Sequence, residues 1–182
     1  MNEARVLALS LHGRLVGYLV GARDGRNILT FDAGFRDDPL RPTFSLITSP
    51  AFPNAQPLLS KPWVTRQRLH PVLSNLLPEG ALRAFIAQSL KVHENNEFEM
   101  MAYLGADLPG ALVAEPAHPD DLPSGLKSEL GKVAPLTLVP GKGEKKFSLA
   151  GVQMKFSMKE RDGRFNVAVG DELGDWIIKT PS

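Results

Sequence analysis

Proline placement constrains this chain more than any other feature. Six prolines, at 39, 42, 50, 53, 57 and 62, fall between Arg36 and Pro62, and Pro116, Pro119, Pro123, Pro135 and Pro140 fall between Glu115 and Lys146. Proline lacks a backbone donor and clashes with the preceding helical turn, so neither stretch can hold a long helix or a central strand. With 15 prolines and 16 glycines in 182 residues, short elements joined by many turns are expected, and a helical bundle is not. The first stretch reads as an irregular connection. The second ends in the charged run Gly141 to Lys146 and reads as a linker. Two patterned regions remain, 1–114 and 147–182, separated by a linker at 115–146.

The first region opens as a β-meander. Val6 to Leu11, Val16 to Val20 and Asn27 to Phe31 are apolar runs divided by His12-Gly13 and by Asp24-Gly25. Helices follow after Arg68. Pro71 can start a short one reaching Leu77, Ala81 to Val92 places Leu82, Phe85, Ile86 and Leu90 on one stripe, and Asn95-Asn96 can cap a third. In that third helix Phe98, Met101 and Leu104 share a face, and Gly105 closes the end. Phe85, Ile86, Phe98 and Met101 are read as core, and so is Met100-Met101 in preference to an adaptable partner surface. Gly110 to Ala114 reads as a returning strand, and a short helix fits Ser124 to Leu130.

The second region has a two-residue period. Val152, Met154, Phe156 and Met158 alternate with Gln153, Lys155, Ser157 and Lys159. Asp162-Gly163 turns the chain, Phe165, Val167 and Val169 alternate again, and Trp176 to Lys179 is a last strand. Ending on such a strand would leave an open edge and an uncovered face, so the chain is expected to be the first part of something longer. The fold class expected is α+β: a small β-rich N-terminal domain with three short helices, then the first strands of a kinase-like N-lobe.

Composition narrows the chemistry. The absence of cysteine removes disulfides, thiolate nucleophiles and Cys-based zinc sites, and suits a reducing cytosol. The four histidines are scattered, so no metal site is expected. No signal peptide or membrane-length apolar run occurs, so a soluble, cytoplasmic protein is expected. The formal net charge of +1 neither announces nor excludes nucleic acid. Lys142, Lys145 and Lys146 read as part of a solvated linker in preference to a direct DNA contact.

One arrangement carries chemistry. A strand at Phe147 to Ala150, a turn at Gly151, a strand to Met158, a hairpin and a strand bearing Lys179 follow the order of a kinase N-lobe. There, backbone N–H groups of a glycine loop cover the ATP phosphates, and a lysine meets them as a point charge. On the residues alone, a plain hairpin with a glycine turn and a surface lysine is the preferred reading, since short motifs often match by chance.

Four motifs in order turn this into a family resemblance. Ser148-Leu149-Ala150-Gly151-Val152-Gln153-Met154-Lys155 resembles the S-x-A-G-x-Q-x-K signature that opens the kinase part of HipA-type toxins, and Ile177-Ile178-Lys179 resembles their ATP-lysine strand, with Trp176 where histidine is frequent. Asn75-Leu76-Leu77-Pro78-Glu79-Gly80, followed by Arg83, is similar to their N-L-L-P-E-G element. Phe98 to Leu112 is similar to a later element with Gly105, Asp107 and Gly110.

The resemblance implies a serine/threonine kinase (a transferase) of a toxin–antitoxin system, to which this chain contributes a regulatory N-terminal domain and the ATP loop. ATP would be bound by Gly151, Val152, Gln153, Lys155 and Lys179, and Ser148 would be the autophosphorylation candidate. It further implies an HTH-type DNA-binding antitoxin as partner, DNA reached only through that antitoxin, and an aminoacyl-tRNA synthetase as target class. ATP and magnesium would serve the complete kinase, but no catalytic aspartate or magnesium ligand is identified here, so no catalytic residue is assigned and the chain alone is expected to be inert. The Pro78-Glu79-Gly80 corner is expected to shape the domain. Two other readings stand: a stand-alone interaction module that binds and restrains a separate HipA-like kinase, and a β-rich adaptor with no tie to nucleotides.

Overall fold

The computed structural model describes residues 3–22, 24–118, 120, 122–130, 132–133, 155–167 and 175–179. The fold is mixed α and β, built on one large, mainly antiparallel sheet. Its strands are β1 (Glu3–Leu11), β2 (Arg14–Gly21), β3 (Arg26–Phe31), β4 (Trp63–Arg66), β5 (Leu112–Pro116) and β6 (Lys132–Val133), ordered β4-β3-β2-β1-β5, with β6 pairing β1 in parallel.

Register explains why this sheet forms. Leu7 opposes Leu19, Leu19 opposes Leu29, and Leu29 opposes Trp63, a row of large apolar residues across one face. One residue along, Val6, Val20, Ile28 and Val64 make the matching row on the other face. Opposed residues share a face, so each row packs as a unit. Both faces of the central strands are therefore apolar, and each is covered. The hairpin turn between β1 and β2 has His12 and Gly13 both at positive φ (52° and 75°), the conformation that matches strand twist.

The Leu7 face carries the main core. It is roofed by α3 (Pro71–Ser74), α4 (Gly80–Leu90) and α5 (Glu97–Leu104), which bury Leu73, Leu82, Ile86, Phe98, Met100, Met101 and Leu104. Both methionines are fully buried, as expected of core. Phe85, expected in the core, is 55 % exposed; the buried stripe of α4 runs through Leu82, Ile86 and Ala87, one step round the helix. Gly105 has a right-handed backbone and continues into a 3-10 turn (Gly105–Asp107), so it is not a left-handed helix stop. It is glycine for another reason: a Cβ there would lie 2.1 Å from the Ala114 carbonyl oxygen of β5.

The proline-rich connection is more ordered than its sequence suggests. It holds a 3-10 turn at Leu46–Thr48 and α2 (Ala55–Leu59), after α1 (Ala33–Arg36). Pro57 falls in the first turn of α2, where its missing donor costs little. Arg41 is buried, and its guanidinium donates to the carbonyls of Arg36, Asp38 and Thr48 at 3.1–3.2 Å. β4 follows directly. Among its described residues the first region thus holds five short helices where three were expected, two of them in and beside this connection.

The opposite face is closed by α6 (Ser124–Leu130), whose Leu126, with Leu122, packs against Val6, Tyr18 and Val20. Together with the β6–β1 pairing, this carries the unit to Val133, so the first part of the expected 115–146 linker is structured. Three strands make a separate sheet: β7 (Lys155–Arg161), β8 (Arg164–Val167) and β9 (Trp176–Lys179), in the order β8-β7-β9. Among the described residues no helix is long and apolar enough to cross a membrane.

Candidate functional site

The second sheet holds the described part of the expected nucleotide site. The β7–β8 turn has Asp162 and Gly163 at φ 52° and 70°, so a tight hairpin forms where the sequence places Asp-Gly. β9 then pairs with β7 and not with β8, which brings the chain's last described strand beside the one that leads out of the expected phosphate loop. Lys155 opposes Lys179 directly, and Phe156 opposes Ile178. Opposed Cα atoms of an antiparallel pair stand about 4.5–5.5 Å apart. Two lysines, 24 positions apart in sequence, thus occupy one rung. Ser148, Gly151, Val152 and Gln153 lie outside the described residues.

Alternation gives this sheet two unlike faces. Ser157, Lys159, Arg161, Arg164, Asn166 and the exposed Ile177 take positions on the face of the lysine rung, while Phe156, Met158, Glu160, Phe165, Trp176 and Ile178 take the other. On that other face the rings of Phe165 and Trp176 meet edge-on at 5.6 Å.

The Pro78-Glu79-Gly80 corner is a structural joint, as expected. Gly80 sits at φ 58°, Glu79 is exposed and makes no capping bond through its side chain, and Leu77 is buried. Arg83, just beyond it, reaches the centre of the joint. Glu97, fully buried at the start of α5, accepts from the Arg83 guanidinium at 2.7 Å, the Ser74 hydroxyl at 2.9 Å and the Leu69 N–H at 2.6 Å. Arg83 also donates to the Glu94 carbonyl. One carboxylate therefore ties together the approach to α3, α3 itself, α4 and α5. Fully buried, and with three of its roughly four acceptor positions engaged, the group is closed to an outside ligand.

Glu97 was not singled out in the sequence. A signal existed, since it falls on the same helical stripe as Met101 and Leu104, where a charge needs a buried partner. Nearby, a hollow of about 670 Å³ is lined by Arg5, Asn27, Gln67, Asn96, Phe98 and Glu99 among others. Arg5 pairs with Glu99 and lies 5.2 Å over the Phe98 ring. Gly21 belongs to the same wall, and a Cβ there would meet that ring at 2.6 Å. None of the sequence-predicted site residues lines this hollow.

Comparison with known proteins bears on the whole arrangement. A family model described as the HipA N-terminal domain matches residues 7–115. Two putative kinases of Sinorhizobium fredii are similar: Y4dM is 36% identical over all of this chain and 43% of its own length. Y4mE is 30% identical over 97% of this chain and 43% of its own. A solved complex from Shewanella oneidensis MR-1, of the toxin–antitoxin system HipA and HipB with operator DNA, contains a similar fold. Its TM-score is 0.55 at 20% identity, over 95% of this chain and 40% of that one. The chain thus spans less than half the length of the relatives it matches, and with a model matching more than half of its own residues it belongs to the HipA N-terminal domain family.

Proposed function

We propose that this chain is the regulatory N-terminal part of a HipA-type serine/threonine kinase toxin, carrying its ATP loop and its ATP lysine, and inert by itself. The observation that carries the reading is the Lys155–Lys179 rung. Like charges directly opposed weaken a ladder, so a rung of two lysines is best accounted for by an anion between them. A nucleotide phosphate is such an anion, and a strand-borne lysine is its usual partner in kinases.

In this reading Gly151, Val152 and Gln153 precede the lysine rung and cover the phosphates with backbone N–H groups. Ser148, just before them, is the residue whose phosphorylation would add about −1.5 to −2 charge beside the nucleotide and so expel it. Magnesium belongs to the complete kinase. Among the described residues no three His, Asp or Glu side chains gather to hold an ion, so no step is assigned to it here.

A DNA-binding antitoxin as partner is supported by the Shewanella assembly of HipA with HipB and operator DNA; its HTH type, and DNA reached only through it, rest on the family resemblance. An aminoacyl-tRNA synthetase as target rests on the family resemblance alone, and a cytosolic setting on the cysteine-free composition and the lack of a signal peptide. A second reading, a stand-alone module that restrains a separate kinase, is favoured by one observation: the main core closes within residues 7–114.

Titration of the chain with a fluorescent ATP analogue tests the proposal. Binding that disappears in Lys179→Ala supports it, whereas unchanged binding in that variant removes the lysine assignment. Incubation with radiolabelled ATP should leave the chain unlabelled. Tight inhibition of a separately encoded kinase, without any ATP binding, would favour the second reading.

A further inference from the structure

The polar hollow beside α5 is walled by groups that the chain itself leaves unsatisfied. Its floor is the rung Arg5, Gly21 and Asn27, one step along the sheet from Leu7, Leu19 and Leu29 and on the same face. The start of α5 meets this rung through the Phe98 ring, which Gly21 and Arg5 both approach. The N–H groups of a helix's first turn need partners from outside the helix. The Glu97 N–H has the Gln67 and Asn95 carbonyls, at 3.4 and 3.0 Å. Asn96, the capping residue, makes no bond through its side chain, and among the described residues the N–H groups of Phe98 and Glu99 meet no acceptor. Both residues line the hollow. Phe98 is 3 % exposed, and an unpaired N–H in so buried a residue is rare.

A side chain points the same way. Asn27 is 5 % exposed, and its Nδ2 donates to the carbonyls of Gln67 and Arg68 at 3.0 and 3.3 Å. The amide is thereby oriented, and among the described residues its Oδ1 meets no donor. The Gln67 carbonyl accepts from both Asn27 and the Glu97 N–H, so the free acceptor and the free helix donors are neighbours. Gln67 itself holds φ 61°, a strained backbone of the kind that gathers at ligand sites. Each carboxylate of the wall already has a guanidinium: Asp24 has Arg26 at 2.6 Å, and Glu99 has Arg5. Neither sign of charge is left over for a bare cation or a polyanion. What remains to be met is a pair of N–H donors beside one acceptor. The hollow of about 670 Å³ is of the usual size for a small-ligand site.

We propose that this hollow binds a carboxylate whose neighbouring carbon bears an N–H donor, the chemistry shared by a free α-amino acid and the C-terminal residue of a peptide. The carboxylate accepts from the Phe98 and Glu99 N–H groups, as anions do at helix starts. The ligand's own N–H donates to Asn27 Oδ1. No residue of the second sheet takes part, so the site stands or falls apart from the nucleotide reading.

The test is an NMR titration of the nitrogen-15-labelled full chain, followed at the Phe98 and Glu99 amide resonances. The probes are the dipeptide Gly-Ser, its C-terminal amide, free serine and inorganic phosphate. Gly-Ser or serine should move both resonances saturably below about 10 mM, and the amide, which lacks the carboxylate, should bind at least about tenfold more weakly. Serine matching Gly-Ser makes a free amino acid the ligand, and Gly-Ser binding about tenfold tighter makes it a peptide end. Asn96→Asp places a carboxylate beside the same N–H groups. It should weaken either ligand about tenfold while leaving the chain at least as stable to urea. No shift from Gly-Ser or serine would overturn the proposal and leave only ordered water at these groups. Equal binding of the amide, tighter binding of phosphate, or unchanged binding by Asn96→Asp would each overturn it as well.

Discussion

Glu97 sets the scale of what single residues do in this chain. A carboxylate with no exposure is held only by its partners, and Arg83 is the charged one. Removing one member of such a pair leaves an uncompensated buried charge, so Arg83→Ala should cost roughly 3–5 kcal/mol. Glu97→Gln, whose one amide oxygen can still accept from the Leu69 N–H while Arg83 keeps the Glu94 carbonyl, should cost less; urea denaturation of both variants checks the order. His70 acts more gently. Its ring packs 4.4 Å from Trp63, and its Nδ1 accepts from the Val72 N–H at 3.4 Å at the start of α3. Burial pushes its pKa below the ordinary 6.5, so the folded state prefers the neutral ring. The stability this contributes is complete above about pH 6.5 and is lost as the pH falls through the lower, folded value. Midpoints of unfolding between pH 7.5 and 5 should therefore decline, and the decline should be shallower in His70→Asn, which keeps a cap acceptor without titrating.

At the scale of elements, turns and close approaches dominate. His12 holds φ 52°, a conformation costly for most side chains and easier for asparagine. His12→Asn before Gly13 should thus stabilise the first hairpin by a few tenths of a kcal/mol to about 1 kcal/mol, read from thermal or urea unfolding. Gly105→Ala should do the opposite, because its new methyl would meet the β5 backbone, which cannot yield as a flexible side chain would. A loss of roughly 1–3 kcal/mol is expected in the same measurement. The elements legible in the sequence were those whose signals are local: the meander, the Asp-Gly and His-Gly turns, the helix opened by Pro71, and the two-residue alternation from Phe156. β4 was not, because Trp63 to Arg66 follows six prolines and becomes a strand only where β3 supplies its hydrogen bonds.

At the scale of the whole molecule, the large sheet is covered on both faces, and its second cover comes from a stretch that reads as linker. Leu126→Ala, a substitution far from every expected site residue, should lower the stability of the sheet unit by about 2 kcal/mol, measured by urea denaturation followed through Trp63 fluorescence. A linker that merely tethered would show no such effect. The sequence by itself determined the mixed α and β class, the order of the strands along the chain, the family, and Lys155 and Lys179 as the residues to watch, since periodicity, turn residues and ordered motifs are properties of neighbours in the chain. Only the tertiary structure decided that Glu97 is the hub of three helices, that Phe85 faces outward, that Gly105 is glycine because β5 passes 2.1 Å from where its Cβ would be, and that the two lysines share a rung. Each of those depends on which distant segment arrives alongside, and that is set by the packing of whole faces against one another, which no local pattern encodes.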